Sequence, residues 1–467
     1  VLFNSPEFLI FAVVVISTYV MARHSLLLQN GILVIASYAF YAFWDYRFLV
    51  LIWVSTFVDF AMGQAMQRWP TRRRWWLAIS LGVNLGILGF FKYFNFFVGS
   101  AADALIELGF QANVPTLNII LPVGISFYTF QTLAYTIDVY RGKFAPERNL
   151  LNFALYVCYF PQLVAGPIER AQQLLPAIRT PRMLNMANFW SGLTLCLVGF
   201  FKKLAIADVV AIFVDQGFAA PEQYSSFELV CIAYLFAFQI YADFSAYSDI
   251  ARGVSRMMGI ELMRNFESPY FSRNIQDFWR RWHISLSTWL RDYLYISLGG
   301  NRLGAVRTYI NLMVTMILGG IWHGANWTFV IWGVIHGGVL AFHRRFMAGK
   351  QTVSQGWWQP AVSMLATFHI VVLAWIFFRA DSLEDSVDYF HYMLQLNGGI
   401  GDFVPPVVTS LVLLLMVDIP QHRSKRHDFL LYWQPLPRAL WVGMMLFAML
   451  TIGAQQAYEV PFIYFQF

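Results

Sequence analysis

Charge is what this sequence has little of. Asp, Glu, Lys and Arg make up 12% of its 467 residues, against 58% hydrophobic residues and a mean hydropathy of +0.54. A soluble domain carries about a quarter charged residues, so a soluble enzyme is excluded and a polytopic membrane protein is implied. The net charge of +6 does not point to nucleic acid, because the cationic residues gather in short loops between apolar runs. Cysteine is equally sparse: Cys158, Cys196 and Cys231 all lie in apolar stretches, with neither a disulfide framework nor zinc-ligand spacing. No Walker A loop, H-E-x-x-H, dinucleotide fingerprint or Cys/His metal set is present. No soluble domain, internal repeat or low-complexity tract interrupts the chain, and the first apolar run, which leads into more spans, is expected to be a span rather than a cleaved leader.

What is there is a succession of apolar segments. A spanning helix needs roughly 20 mostly apolar residues, and candidates lie at 8–22, 26–43, 48–66, 75–97, 117–140, 187–213, 227–251, 306–322, 326–343, 360–379, 406–420 and 437–456. The expected fold is all-α, with about eleven or twelve transmembrane helices. The run 151–168 is apolar but broken by Pro161, Gly166 and Pro167; it is predicted to be re-entrant or interfacial, with its free backbone groups covered by protein. Seventeen Trp and 23 Tyr supply aromatic belts. Basic residues (Arg23; Arg68, Arg72, Arg73 and Arg74; Arg141, Lys143 and Arg148; 252–281; Arg344 and Arg345; Arg423, Lys425 and Arg426) alternate with loops holding Asp103 and Glu107, Asp215 and Glu222, and Asp381, Glu384, Asp385 and Asp388. By the positive-inside rule that pattern places both termini outside.

Two histidines stand in apolar surroundings. From Ile275 to Tyr293 the large apolar residues fall at 275, 278, 279, 282, 286, 289, 290 and 293, a stripe about 120° wide on a continuous helix. Asn274 is its predicted cap, Asp277 sits in its first turn and Gly299-Gly300 stops it. Such a helix is expected in the cytoplasmic interface with its tryptophans at the acyl boundary. His283 falls at the edge of the stripe, with Ser287 one turn on as a possible nucleophile partner, although no G-x-S-x-G elbow supports that pair. For the arginines, a plain role as lipid-phosphate anchors competes with ligand binding. His323 follows the run 309–322, flanked by Gly320 and Gly324, which allow close helix approach, and by Trp322 and Asn326 as N–H donors. A histidine at a helix end is commonly a packing residue, but the two histidines are separated by one loop and one span and are able to meet. His336 lies on another face of the following helix and reads as structural. One or two buried histidines provide general-base chemistry on a hydroxyl.

These motifs carry a resemblance. FWRRWHISLSTWLRDYLYISLGGNR (278–302) and GGIWHGANWTFVIWGVIHG (319–337) resemble the membrane-bound O-acyltransferase family, in its alginate O-acetyltransferase-like bacterial branch. The stretches 121–142, 159–170, 199–208, 238–251 and 461–467 add to it; position 246 is Ala where that pattern has Gly. The resemblance implies one membrane domain over 1–467, with a catalytic core over about 115–345, in which helices, a re-entrant segment and cytoplasmic interfacial helices enclose a tunnel. It implies that His323 is the invariant family histidine and that His283 is the second active-site position, which is Asn or Asp in many eukaryotic members. The donor is then acetyl-CoA or another acyl thioester, with no bound cofactor and no metal. Arg280, Arg281, Arg291, Arg302 and Arg307 make a basic cytoplasmic mouth for it, beside Trp322 and Asn326. The implied partners are membrane lipids and a periplasmic acetyltransferase, not nucleic acid, and the implied location is the bacterial inner membrane with both termini periplasmic. The ending FIYFQF resembles the tail motif of a small partner protein in the D-alanine-transfer system, where a tyrosine is thought to carry the acyl group; Tyr464 occupies that place here. A phenol, with a pKa near 10, leaves more readily than a sugar hydroxyl, although an aromatic interface anchor would look the same. The implied function is O-acetylation of an exported polysaccharide, alginate first, with cellulose, peptidoglycan or teichoic acid as alternatives; an acyl-carrier transporter or a non-catalytic docking subunit are the readings from other classes.

Overall fold

Residues 3–110, 117–347, 358–399, 401, 403–453 and 460–463 are described by a computed structural model. Among them there is no strand, as expected where a backbone surrounded by lipid must satisfy its own polar groups within helices. Among the described residues six helical runs are long and apolar enough to cross a membrane: Leu26–Arg68, Pro70–Glu107, Ser226–Met257, Ala305–His323, Gln359–Arg379 and Val404–Ser424; Pro6–Met21 and Pro435–Thr451 are apolar but shorter. The chain is an all-α, multi-pass membrane protein.

By its internal contacts the chain divides into two compact units, 3–189 with 254–262, and 190–253 with 263–467. The first holds α1 (Pro6–Met21), α2 (Leu26–Asp45), α3 (Leu49–Arg68), α4 (Arg73–Leu88), α5 (Phe94–Glu107), α6 (Ile125–Tyr140), α7 (Leu150–Cys158), α8 (Phe160–Leu163) and α9 (Ala171–Arg179). The predicted re-entrant stretch is here: the helix breaks at Tyr159 and residues 153–169 are buried throughout, so protein covers the freed backbone. A buried carboxylate, Asp59 of α3, accepts hydrogen bonds from Ser80 Oγ (2.5 Å) and Asn84 Nδ2 (3.0 Å) of α4.

The second unit contains most of α10 (Met186–Lys202) and α12 (Ser226–Met257), together with α11 (Asp208–Ala219), α13 (Ile275–Arg281), α14 (Ile284–Trp289), α15 (Ala305–His323), α16 (Trp327–Phe346), α17 (Gln359–Arg379), α18 (Leu383–Leu394), α19 (Val404–Ser424) and α20 (Pro435–Thr451). α10 passes through a π-helical turn, Lys203–Ala207, into α11. Gly199 and Ala246 mark the crossing of α10 and α12: a Cβ on Gly199 would stand 2.9 Å from the Ala246 carbonyl. α15 and α16 pack with their backbones close together. A Cβ on Gly333 would meet the Met316 carbonyl oxygen at 2.5 Å, and one on Gly320 would strike the Phe329 carbonyl. Gly324 instead faces the Phe329 ring.

The continuous helix expected over 275–293 is broken. Asn274 caps α13, its Oδ1 accepting from Asp277 N at 2.8 Å, but Trp282 is extended and His283 turns left-handed (φ 40°, ψ 56°) before α14 begins. The cause lies in a neighbouring stretch, which takes over the backbone bonds a helix would have made. Ile284 N donates to Asn265 O (2.9 Å), Ser285 N to Asn265 Oδ1 (3.3 Å) and Glu267 N to Arg281 O (3.0 Å). The apolar stripe is nonetheless the buried one: residues 275, 278, 282, 286, 289, 290 and 293 are all buried and Trp279 half-buried. The tryptophans therefore face protein rather than an acyl boundary, with the Trp282 ring 5.0 Å from those of Phe266 and Trp375.

Two expectations follow. Gly333→Ala should lower the thermal unfolding midpoint in detergent, by overpacking worth about 1–3 kcal/mol, whereas Gly338→Ala, with nothing within 4 Å of the new methyl, should leave it level or raise it; equal shifts would refute the close packing. At the break, His283→Gly should be more stable than His283→Ala by about 1 kcal/mol, because a Cβ is disfavoured in the left-handed region; indistinguishable midpoints would remove that account.

Candidate functional site

His283 and His323 come together. Their ring centroids are 6.3 Å apart, and they are 0% and 4% exposed. Each arrives by a different route. His323 is the last residue of α15, whose small residues Gly319 and Gly320 let neighbouring groups close in. His283 enters by the left-handed turn that precedes α14. Trp322 stands beside both imidazoles, 5.8 Å from His283 and 5.0 Å from His323.

The surrounding wall is aromatic. Phe244 of α12 lies 4.7 Å from His283 in a T-shaped arrangement. Phe378 of α17 and Trp332 of α16 lie 5.1 and 5.2 Å from His323. Trp332 also lies 4.7 Å from His336, which is fully buried and 5.1 Å from Trp279. The helix face assigned to His336 from the sequence is therefore turned toward the same aromatic cluster, one ring away from His323. His283 lies outside the spanning helices, and burial pushes its imidazole down to about 3, so the ring is neutral at physiological pH and a weak proton acceptor.

The remaining predicted residues divide. Ser287 does not pair with the His283 ring; its Oγ donates to Trp282 O at 3.0 Å. Arg280 and Arg302 are exposed. Arg281 pairs with Asp277 (3.0 Å) and Arg291 with Asp292 (2.7 Å), so part of the expected basic mouth is neutralised by its own neighbours. Asn326 caps α16, accepting from Thr328 N at 3.1 Å, and donates to Asp381 O at 2.6 Å. Tyr464 lies outside the described residues. The short stretch before it does not: Phe462 and Ile463 are 2% and 1% exposed, and the Phe462 ring lies 6.0 Å from Phe244.

Sequence reasoning missed Asn265, Phe244, Trp332, Trp375 and Phe378. It also missed a buried charge cluster on α12. Lys202 Nζ meets Asp249 Oδ2 at 2.6 Å and Ser245 Oγ at 2.9 Å, and Asp249 Oδ1 lies 3.3 Å from Arg252 and 3.1 Å from His427 Nδ1. Arg252, counted above as a loop cation, is 1% exposed and belongs to this cluster. The signal available was the spacing of Tyr241, Ser245, Ser248, Asp249 and Arg252, which places polar groups on one stripe of an otherwise apolar helix.

An arrangement of two buried imidazoles in an apolar enclosure suits removal of a proton from a hydroxyl while water is kept away. Comparison with known proteins identifies the family. The chain is 38% identical to a probable alginate O-acetylase of Pseudomonas putida, over 94% of both chains. It is 39% identical to a peptidoglycan O-acetyltransferase of Helicobacter pylori, over 78% of this chain and 74% of that one. It is 28% identical to a teichoic acid D-alanyltransferase of Streptococcus thermophilus, over 55% and 68%. Residues 144–379, which include both histidines, match the membrane-bound O-acyltransferase family. With that match and the length of the similarity to O-acetylases, the chain is an O-acyltransferase and belongs to the membrane-bound O-acyltransferase family.

Proposed function

We propose that the protein takes an acetyl group from a cytosolic thioester, acetyl-CoA or a related donor, and passes it through a tunnel across the bacterial inner membrane for O-acetylation of an exported polysaccharide, alginate first. The observation that supports this most is the pair of imidazoles 6.3 Å apart in one aromatic enclosure, in a chain similar along nearly its whole length to a probable alginate O-acetylase.

In this reading His323 is the general base. It takes the proton of the accepting hydroxyl as that oxygen attacks the thioester carbonyl; a C–O bond forms, the C–S bond breaks, and the proton passes to the departing thiolate. His283, neutral and weakly basic, orients the hydroxyl or the carbonyl rather than holding the proton. Arg280 and Arg302, which stand exposed, attract the anionic part of the donor, with Arg281 and Arg291 behind them in ion pairs. Trp322 lines the reacting centre, and Asn326 holds the α15–α16 connection beside it. Tyr464 is the acyl relay that receives the acetyl group and yields it on the outer side to a periplasmic acetyltransferase, with both termini on that side. The similarity to a peptidoglycan O-acetyltransferase makes peptidoglycan the second substrate to assay.

His323→Ala should reduce acetyl transfer from labelled thioester by at least about 10²-fold while the protein stays folded and inserted; retained transfer removes His323 from the mechanism. Tyr464→Phe should abolish acetylation of the polymer in cells and the acetylated peptide that mass spectrometry detects in trapped wild-type enzyme. Full polymer acetylation in that variant ends the relay scheme.

A further inference from the structure

We propose that Asp243 and Lys203 form a clamp that positions residues 460–463 against the wall of the histidine site, an inference that rests on the acyl-transfer reading above. Neither residue is a catalytic residue; both act through the segment they hold.

The clamp begins with an imbalance of charge. Lys203, in the π-helical turn after α10, lies 2.6 Å from Asp208 Oδ1 and 3.1 Å from Asp243 Oδ1, and the three side chains are 8%, 5% and 3% exposed. Two carboxylates thus share one ammonium in a buried setting. For packing α10 against α12, one lysine–aspartate pair would be sufficient, and a surplus buried carboxylate is destabilising unless hydrogen bonds satisfy it. The surplus oxygen is used: Asp243 Oδ2 accepts from the backbone N–H of Ile463 at 2.8 Å. Lys203 Nζ in turn donates to the carbonyl of Val460 at 3.3 Å. The same ion pair therefore grips a four-residue segment at both ends, through bonds to charged groups that are stronger than bonds between neutral ones.

What the grip places between its ends is Phe462. Its ring lies 4.8 Å from Tyr247 and 6.0 Å from Phe244, and Phe244 is the ring that meets His283 at 4.7 Å. Asp243 and Phe244 are adjacent on α12, so the residue that holds the segment's backbone and the residue that touches the imidazole move together. The relay proposed above follows Ile463 directly in sequence.

The charge count supplies a clean test. Asp243→Ala removes the surplus carboxylate and leaves Lys203 matched by Asp208, so the fold is not left with an unpaired buried charge. Asp243→Asn also makes the cluster neutral but keeps a carbonyl oxygen for the Ile463 N–H. Hydrogen–deuterium exchange on the full chain in detergent micelles reads the segment directly, with α12 peptides as the control for folding. In Asp243→Ala, exchange at residues 460–463 should accelerate at least about tenfold, the lower range for losing a hydrogen bond to a charged group, and kcat for acetyl transfer should fall at least as far. Asp243→Asn should restore slow exchange and most of the activity. Unchanged exchange in Asp243→Ala overturns the clamp, and so does fast exchange with full activity. The clamp is equally overturned if Asp243→Asn behaves like Asp243→Ala while α12 stays protected, because the charge and not the acceptor would then matter. The exchange measurement needs no substrate, so a wild-type protein that is clamped but transfers no acetyl group would count against the proposed function alone.

Discussion

His283 reaches the interior because the helix carrying it stops, and the helix can stop only because Asn265 takes the backbone groups that are set free. Asn265 O and Oδ1 accept from Ile284 N and Ser285 N, and Asn265 Nδ2 donates to Ser248 Oγ of α12 at 3.2 Å. An unsatisfied buried N–H is penalised by about 1–3 kcal/mol, so without this stretch the sequence would favour the unbroken helix that its periodicity describes. His283 would then lie on the flank of that helix rather than in the turn that faces His323. The proximity of the two histidines is thus a consequence of hydrogen-bond accounting around one asparagine.

α12 is the element that converts this local arrangement into a fixed one. It is apolar enough to span a membrane, yet 89% of its most apolar window is covered by the rest of the protein, and a stripe of its polar residues is paired within that cover. Tyr241 donates to Asp418 of α19 at 2.8 Å, Asp249 organises Lys202, Arg252 and His427, and Ser248 accepts from Asn265. Buried ion pairs of this kind are weak evidence for stability, because desolvation offsets most of their attraction. Their value here is registry. A helix that slid by one residue would lose every one of these bonds together, and Phe244 would leave His283.

Much of this architecture was legible in the sequence because hydropathy and periodicity report on the same physics that places the helices. The runs 8–22, 26–43, 48–66, 360–379 and 406–420 coincide closely with α1, α2, α3, α17 and α19. The stripe 275–293 named the buried face of α13 and α14 correctly even though the helix itself is broken. The break was not legible because its cause, Asn265, lies in another segment and acts through its backbone. The π-helical turn at Lys203 and the acidic helix α18 were hidden for different reasons: the first is an insertion of hydrogen-bond register rather than of composition, and the second, with Ser382 as its cap, reads as a charged loop beside the apolar runs. Of the site, both histidines stood out as ionisable residues in apolar surroundings. Their aromatic enclosure did not, since a phenylalanine or tryptophan that faces an imidazole is indistinguishable in sequence from one that faces lipid.

The backbone at His283 also bears on what that position can be. Left-handed geometry is best tolerated by glycine and, among residues with side chains, by asparagine, aspartate and histidine. Those are the residues that the family resemblance associates with this second position. A histidine here is therefore held in a conformation chosen by the fold, and the side chains able to replace it are those with a short polar group that accept the same turn. A residue required only as a proton acceptor would not be selected by backbone conformation in this way, and asparagine could not serve as one. The turn is thus compatible with the roles proposed above, in which the position preceding α14 orients a reacting group by hydrogen bonding and the histidine that ends α15 handles the proton.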